Sequence, residues 1–523
     1  MTQSQSFSCH KDSPIVLHAT RPPRIAAERP SGHRDVSLNT LCRQLSYKLL
    51  QGYTGEGAHL RTRLSHTRIL LLSQVSELCQ ERSTLVLPPT KPFPQSPHSH
   101  HVMPREMQTL DGRTLEGGGQ LLRLSLCLAA LTSQPLRITH IRGNRSGGGG
   151  LKAQHLACVN WLAHACEAAV KGAEKGSSEL VFQPGQAYGK VEPVYVRKDG
   201  YWEAKVEIGS SGSTGLALQA VLPFILFSPR READGSLSEM PVRLRLSGGT
   251  NVSGSPSYEY ITQVLLPMLE QIGLPRMTAT LGKRGWSHGG TSIGHFTLEI
   301  PARTDLVLPG FDLWPANTVA EPTKPTKIDA TFIAPAETHE HFRTVLVPAL
   351  ESHFRTSYSE ESSNFSMTLE DSKHPKRFYL ILVATISTPE GRTYKLGRDW
   401  LYNRKITSAE RTTTELAERV AWDLYREWSS GAFVDEFLRD QLVVFQALAK
   451  GKSRVWGGLG DDGEVREASL HAKTAEWVVE EMLGVRVREK EYIEGIGLGG
   501  EGNVGEEVGL VERMGRLDVR EEG

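Results

Sequence analysis

The hydrophobic and polar positions of this chain repeat one order of elements three times. Each copy opens with an apolar segment that predicts a helix and contains a glutamine. The three segments span residues 118–131, 213–227 and 434–449, and they contain Gln120, Gln219 and Gln441. A predicted strand follows each one, with the sequences LRITHIR, VRLRLSGG and SRVWGG. This repetition indicates one structural unit used three times.

A second helix and a further extended segment complete each copy. The predicted helices are LKAQHLACVNWLAHACEAAV, YEYITQVLLPMLEQIG and LHAKTAEWVVEEML, and the extended segments include ELVFQPG, TLEI and VREKEYIEG. Helix-strand-helix-strand units bury their sheets against paired helices, so we predict an α/β (α+β) fold with the units around a common centre. Candidate catalytic groups are expected where the three units meet.

The remaining segments predict the domain boundaries. Residues 1–106 are rich in Ser, His, Pro and Arg and predict a flexible leader, which is favoured over a transit peptide. Residues 107–322 hold the first two units of a large domain, and 406–497 hold the third. Between them, 323–405 carries its own strand and helix signals and predicts a small inserted α+β domain. Residues 498–523 form a Gly/Glu-rich tail.

Composition and charge limit the class of protein. Sixty basic and sixty acidic side chains in 523 residues argue against a wholly basic nucleic-acid coat but allow a local basic pocket. The six cysteines include no Cys-x-x-Cys pair, which argues against a zinc knuckle or a disulfide framework. No apolar run is long enough to cross a bilayer. We therefore expect a soluble intracellular protein with no membrane partner.

The first copy contains a candidate phosphate site. Glycines 117–119 lie at the predicted helix entrance, where backbone N–H groups and the helix dipole favour an anion. Glu116 precedes these glycines, and Gln120 and Arg123 share one face of the helix.

Two further arginines extend this candidate site. Arg142 and Arg145 follow the next strand, and Gln154 lies early in the next helix beyond a Gly-rich loop. The guanidinium group donates two parallel hydrogen bonds, a geometry that suits phosphate oxygens. Taken alone, arginines at a strand end are more often ordinary solvated side chains. Their position beside Glu116 and Arg123 favours phosphate binding.

The third copy supplies a candidate nucleophile. His471 stands at the start of a predicted helix, where the helix N-terminus lowers its pKa and favours the neutral, nucleophilic imidazole. A surface or capping role is the commoner one for such a histidine. Asp440 and Gln441 form either a solvated stripe of their helix or a buried pair that needs partners. Elsewhere, Arg284 in a Gly-rich turn is a candidate phosphate or RNA contact.

The glycine-rich run at the candidate phosphate site fits no known nucleotide fingerprint, and no serine or cysteine hydrolase motif supports a triad. The sequence has no G-x-x-x-x-G-K-[ST], no dinucleotide G-x-G-x-x-G in LEGGGQ and no H-E-x-x-H. P-loop and Rossmann enzymes are therefore disfavoured.

Several of these segments together resemble the RNA 3′-terminal phosphate cyclase family. The resemblance covers most of residues 108–497 and is carried by DGRTLEGGGQLLRLSLCLAALTSQPLRITHIRGNR, LKAQH, GAEKGSSELVFQPG, GSTGLALQAVLP, SGGTN, FVDEFLRDQL and SLHAKTAE. It implies three repeats, each similar to the C-terminal domain of bacterial translation initiation factor three, and an insert with a thioredoxin-like arrangement. It also implies a chemistry. ATP reacts with a histidine to give covalent histidine-AMP, AMP passes to an RNA 3′-phosphate end, and a 2′,3′-cyclic phosphate forms.

The resemblance also implies roles for individual residues. His471 matches the nucleophile, Glu116 is expected to hold a divalent metal (Mg or Mn), and Asp440 to orient His471 or the nucleotide. The basic positions that would neutralise the phosphates are Arg123, Arg142 and Arg145. The positions expected to contact ATP are Gln219, Phe437, Leu438, Arg439, Asp440 and Gln441, with Gln120 and Gln154 lining the pocket.

Two loops depart from the family's pattern. RGWSHGGTSIG lacks the usual proline, and its glycine pair is cut short by Thr291, while RGNRSGGGGL lacks a proline-glycine pair. These departures concern the RNA-facing loops, so we predict no RNA preference.

Two rival functions remain open at this point. One is a non-catalytic ribosome-assembly and pre-rRNA processing factor of the same fold, which would lack His471. The other is a bland RNA-binding scaffold, which the near-zero net charge weakens. The family's eukaryotic members are mainly nuclear, so the nucleus (nucleoplasm) is the expected location, with the cytoplasm as the alternative.

Overall fold

A computed structural model describes the parts of the chain that form the predicted units and the insert. The described residues are 105–145, 147–187, 193–228, 230–232, 234, 236–302, 307–315, 322–388, 391–488 and 492–499. Nearly all of the predicted leader and tail lies outside the described residues. Within this part of the chain the strands form four sheets.

The first unit alternates strands with helices and ends in a hairpin. Its elements are β1 (Gln108–Asp111), α1 (Gly119–Thr132), β2 (Leu136–Thr139), α2 (Ala153–Ala165), β3 (Ala169–Lys171) and β4 (Leu180–Gln183). β1 pairs parallel with β2, and β4 is antiparallel to both β2 and β3, so the order is β1-β2-β4-β3. In β2, Leu136 and Ile138 are buried and Arg137 is exposed, as expected for a sheet with one solvent-exposed face.

The second unit repeats this arrangement and adds an edge strand. Its elements are β5 (Val196–Lys198), β6 (Tyr201–Glu207), α3 (Thr214–Phe227), β7 (Val242–Gly248), α4 (Tyr258–Tyr260), a π-helical turn (Ile261–Leu265), α5 (Leu266–Gln271), β8 (Thr278–Lys283) and β9 (Gly294–Ile300). The order is β5-β6-β7-β9-β8, with β6 and β7 parallel and β9 antiparallel to β7 and β8. Pro267, which has no N–H to continue the helical ladder, follows the π-helical turn.

The third unit is interrupted after its first strand. β10 (Asp312–Leu313) is followed by the insert, whose elements are β11 (Lys327–Ala334), a 3₁₀ turn (Ala336–Thr338), α6 (His339–Phe354), β12 (Phe365–Asp371), β13 (Tyr379–Ser387), β14 (Thr393–Leu401) and α7 (Ala409–Ser429). The insert sheet has the order β12-β11-β13-β14. α7 packs on α6, β13 and β14, so this helix joins the insert's layers although it follows the predicted end at 405. The domain boundaries themselves stay predictions.

The chain then returns to complete the third unit. The remaining elements are α8 (Glu436–Leu448), β15 (Lys450–Val455), α9 (Leu470–Leu483), β16 (Arg486–Arg488) and β17 (Tyr492–Ile496). β10 and β15 are parallel, β17 is antiparallel to β15 and β16, and the order is β10-β15-β17-β16. Helices of different units pack on one another, since α1 contacts α3 and α9, and α8 contacts α3.

The α/β (α+β) class is confirmed, and each described unit opens with a strand that was not predicted, the second unit with two, β5 and β6. The predicted helix 470–483 matches α9, but the helix predicted for 151–170 is too long because Ala169–Lys171 pairs with β4. The strand predicted to begin at residue 453 begins at Lys450. None of the helices in the described ranges is both long and apolar enough to span a membrane.

Asp435 joins three parts of this fold. Its buried carboxylate accepts hydrogen bonds from the N–H of Leu438 at the start of α8 (2.9 Å), from Tyr260 Oη of the second unit (2.6 Å) and from the N–H of Gly397 in β14 (2.9 Å). We expect Asp435→Ala to lower the free energy of unfolding by roughly 3–5 kcal/mol, because three donors lose their acceptor. Urea unfolding followed by circular dichroism measures this loss.

The matched control is Ser408→Ala at the exposed start of α7. Ser408 Oγ accepts one N–H, that of Arg411, so its loss should cost about 0.5–1 kcal/mol. Equal losses in the two variants would contradict the special role of Asp435.

Candidate functional site

The start of α1, which we call the entrance of α1, lies close to several arginines. Gly118 precedes the helix and has no side chain to cap it, so the first N–H groups of α1 lack that acceptor. Leu115 (φ 51°) and Arg142 (φ 56°) flank the entrance in the left-handed region, which costs a non-glycine residue roughly 1 kcal/mol. Arg142 is half-buried and donates to the carbonyl of Gly148 (3.2 Å), and burial lowers its pKa. The entrance therefore combines helix N–H groups with a strained, partly desolvated arginine.

Arg123 is the buried centre of the site. Its side chain donates from Nη2 to Gln120 Oε1 (2.8 Å) and from Nε to Gln219 Oε1 (3.1 Å), and the residue is 6% exposed. Burial lowers its pKa to about 10, although it remains charged at neutral pH. Two of the three predicted glutamines thus meet on one guanidinium, one from each of the first two units.

The third unit brings its candidate residues to the same place. Burial raises the pKa of Asp440 to about 7; the charge of Arg123 opposes this rise and Asp435 adds to it. The pKa of His471 is lowered because its ring is partly buried and because Arg123 and Arg145 lie nearby, while Glu436 acts in the opposite direction. The direction agrees with the sequence prediction, but the arginines are a cause that the prediction lacked. The lowered pKa favours the neutral form of the His471 imidazole.

Glu116 ties the entrance of α1 to the helix of His471. Its backbone N–H donates to Thr474 Oγ1 of α9 (3.1 Å). Its carboxylate is buried, forms an ion pair with Arg145 and lies against Gly118, where a Cβ atom would collide with it. Apart from that ion pair, neither carboxylate oxygen accepts a hydrogen bond from the described residues. A buried carboxylate of this kind suits a cation, either the Arg145 guanidinium alone or a metal ion beside it.

A metal ion at Glu116 would need further ligands from a bound phosphate compound or from water. In the described part of the chain, no group of three or more His, Cys, Asp or Glu side chains is placed to hold a metal ion. Mg²⁺ commonly binds through one or two carboxylates together with substrate phosphates and water. The predicted role of Glu116 fits that kind of site.

The residues at the start of α8 that were predicted to contact ATP differ in where their side chains lie. Phe437 is 40% exposed, whereas Leu438 lies fully in the core, so the side chain of Leu438 does not reach a pocket. Arg439 donates to the carbonyl of Arg466 (3.1 Å), and Gln441 donates to the carbonyl of Phe437 (2.8 Å). A run of consecutive residues on a helix presents only part of itself to one site.

Gln154 links the first unit to the second. Its Oε1 accepts the N–H of Ser213, the residue that caps α3 (3.1 Å). Its side chain is half-buried at this junction, so the predicted lining residue also orients the neighbouring helix.

Arg284 is not available as the free phosphate or RNA contact suggested by its glycine-rich turn. It forms ion pairs with Glu259 (2.6 Å) and with Glu370 of β12 (2.5 Å). The same turn accepts hydrogen bonds at the carbonyls of Gly289 and Gly290 from Arg377 of the insert (3.1 and 2.9 Å). This departure from the family's pattern therefore lies at the contact with the insert.

The sequence prediction missed His155 as part of the site. His155 is 2% exposed, and its Nδ1 accepts the N–H of Lys152 (3.1 Å), which leaves the proton on Nε2. Burial, followed by the charges of Arg123, Arg142 and Lys152, lowers its pKa to about 3. A Cβ atom on Gly119 would lie 2.6 Å from Arg123 Nη1 and 2.8 Å from His155 Nε2. In the sequence, the position of His155 in LKAQH, directly after Gln154, indicates that it belongs to the site.

Fold and site together define a mixed α/β protein whose phosphate-suited centre is assembled from three units. The family model described as RNA 3′-terminal phosphate cyclase matches residues 114–488. The chain is 30% identical to the RNA 3′-terminal phosphate cyclase of Pyrococcus abyssi over 378 residues, which cover 72% of this chain and 94% of that protein. It is 32% identical to the protein of the same name from Methanosarcina mazei over 397 residues, covering 74% and 97%. The chain belongs to the RNA 3′-terminal phosphate cyclase family.

The raised pKa of Asp440 predicts a pH dependence of stability. An unfolded aspartate ionises near pH 4, whereas folded Asp440 holds its proton up to about pH 7, so ionisation removes stability as the pH rises through that window. The Asp440→Asn variant has no carboxyl group at this position, so its stability does not fall with pH for this reason. We expect its free energy of unfolding, relative to the unchanged chain, to increase between pH 4 and 7 by at most about 4 kcal/mol. Urea titrations at several pH values measure this difference, and a constant difference would contradict the prediction.

Proposed function

We propose that this chain is an ATP-dependent RNA 3′-terminal phosphate cyclase that acts through a covalent histidine-AMP and an RNA-adenylate. The observation that carries the proposal is the position of His471 beside Arg123 and Arg145 of the first unit, where burial and these two charges lower the pKa of its imidazole. A neutral imidazole is the nucleophilic form, and the two guanidinium groups offer charge where phosphate oxygens gather. The names of the relatives support the same activity.

The proposed reaction consists of three displacements at phosphorus. A ring nitrogen of His471 attacks the α-phosphorus of ATP, the bond to the bridging oxygen breaks, and pyrophosphate leaves. An oxygen of the RNA 3′-phosphate then attacks the AMP phosphorus and displaces His471. Finally the 2′-hydroxyl attacks the activated 3′-phosphate, loses its proton, and releases AMP as the cyclic ester forms. Proximity suffices for this last step because the nucleophile and the phosphorus share one ribose.

The residues of the first unit supply charge and position to these steps. Arg123, Arg142 and Arg145 would hold the phosphate oxygens as negative charge develops, with Gln120 and Gln219 fixing the guanidinium of Arg123. Glu116 would hold the Mg²⁺ or Mn²⁺ ion, which supplies Lewis-acid neutralisation of phosphate charge when bound. Asp440 would orient the nucleotide or His471.

The finer structural and cellular assignments are part of the same proposal. The repeated strand-helix-strand-helix-strand-strand order supports the likeness of each unit to the C-terminal domain of bacterial translation initiation factor three. A location in the nucleus rests on the resemblance alone. The ribosome-assembly alternative has no support in the names of the relatives given above.

His471→Ala tests the proposed nucleophile. Incubation with α-labelled ATP and Mg²⁺ or Mn²⁺ should leave acid-labile AMP on the unchanged chain and none on this variant, because the attacking nitrogen is gone. The control is His164→Ala, at an exposed position in the last turn of α2, which should label normally. Absence of label on the unchanged chain would remove the basis of the cyclase proposal.

Gly119→Ala tests whether the packing at the α1 entrance matters for the same reaction. The added methyl group would displace Arg123 or His155, so we expect self-adenylation to slow about tenfold or more. Gly147→Ala is the control in the nearby loop, where a Cβ atom meets nothing within 4 Å. Equal rates in the two variants would show that the position of Arg123 does not limit the reaction.

A further inference from the structure

A buried carboxylate outside the site joins the insert to the segment that leads to His471. Glu427, near the end of α7, has a fully buried side chain. It contacts Arg398 of β14 (2.5 Å) through Oε1 and Arg466 (2.8 Å) through Oε2. Arg466 lies between β15 and α9, five residues before His471. The carboxylate of Glu427 therefore links α7 and β14 to the segment that leads into α9, the helix that carries His471.

The two arginines share a second carboxylate, which lies beside the site. Glu436, the first residue of α8, is 3.0 Å from Arg398 and 3.8 Å from Arg466. The result is a network of two arginines and two glutamates, which we call the Glu427 network. Glu436 is also the carboxylate whose charge opposes the lowering of the pKa of His471. The network thus extends from a fully buried charge to the environment of the candidate nucleophile.

The Glu427 network also supports an exposed aromatic ring. The guanidinium carbon of Arg398 lies 4.5 Å from the ring centre of Phe437, and Tyr260 meets the same ring edge to face at 6.1 Å. These contacts hold one side of a ring that is 40% exposed. The orientation of Phe437 consequently depends on the position of Arg398.

The segment that carries Arg466 is held at several points by its backbone. The N–H of Arg466 donates to the carbonyl of Gly458 (2.9 Å), and the N–H of Leu459 donates to the carbonyl of Ser430 (2.8 Å). Arg439 donates to the carbonyl of Arg466 (3.1 Å). Ser469 then begins α9 by accepting the N–H of Ala472 (3.2 Å). A shift of Arg466 would be transmitted to this start, two residues before His471.

We propose that Glu427 is a positioning residue for His471 and Phe437, acting through Arg466 and Arg398. A buried ion pair contributes no more stability than a well-packed apolar pair of the same volume, so the network is better explained by the geometry it imposes. The role of this geometry in adenylation rests on the proposed function. The effect of the network on the environment of His471 does not rest on the proposed function.

The first test needs no ATP. Full-length chains are treated with diethyl pyrocarbonate over a range of pH, and modification of the peptide containing His471 is followed by mass spectrometry. The midpoint reports the pKa of His471, which Arg123, Arg145 and Glu436 face from neighbouring elements. Glu427→Gln removes a negative charge and should move the midpoint to lower pH, whereas Arg466→Gln removes a positive charge and should move it to higher pH.

The control is Glu418→Gln, at an exposed position on the same helix, which should leave the midpoint unchanged. Opposite shifts in the two network variants cannot arise from general loss of structure. Unchanged midpoints in both would overturn the proposal. If Glu427→Gln fails to fold, the Arg466→Gln measurement decides by itself, because Arg466 is partly exposed.

The second test measures self-adenylation in the same variants. Glu427→Gln should lower the rate constant at saturating ATP about tenfold or more, since a displaced nucleophile loses near-attack geometry. Loss of folded protein alone would lower the amount of label but not the rate constant. An unchanged rate constant would contradict the positioning role. If the unchanged chain takes up no label, the proposed function fails, and the modification midpoints still decide whether the network acts on His471.

Discussion

Burial of the Arg123 guanidinium is the constraint on which the arrangement of the three units depends. A buried cation is costly unless polar groups surround it, and here those groups come from different units. Gln120 lies on the same helix, Gln219 comes from α3, and Asp440 lies near enough on α8 to act on the same charge. The units must therefore meet with these polar positions facing one point, which explains why otherwise apolar helices carry an amide or an acid there.

The insert is built into this arrangement rather than attached to its edge. Glu370 of the insert pairs with Arg284 of the second unit, and Gly397 donates to Asp435 of the third. Arg398 adds an ion pair with Glu436 beside the site. Charged and polar contacts of this kind are directional, so they orient the insert in a way that an apolar interface would not. The glycine-rich turn near Arg284 owes part of its sequence to this contact, because the insert approaches its backbone carbonyls.

Much of the helical framework could be predicted from the sequence, because apolar stripes at helical spacing mark the faces that the core covers. The short strands were harder to predict: β10 has two residues, and β3 continues an apolar pattern that is equally typical of a helix. Apart from His155, the residues that line the candidate site could be named from the sequence, but the directions of their side chains could not. Arg123 and Arg284 look equivalent in the sequence, and two carboxylates that come from distant positions separate them in the structure. The role of Gly119 likewise depends on His155, which only the folded chain brings near.

The hydrogen bond between the N–H of Glu116 and Thr474 joins residues 358 positions apart. Synthesis proceeds from the N-terminus, so the first unit leaves the ribosome long before α9 exists. During that interval the entrance of α1 has no helix against which to close, and the polar groups around Arg123 are incomplete. The complete set of groups around Arg123 is consequently a property of the finished chain, and a truncated or stalled product would carry the arginines of the entrance without His471 of α9.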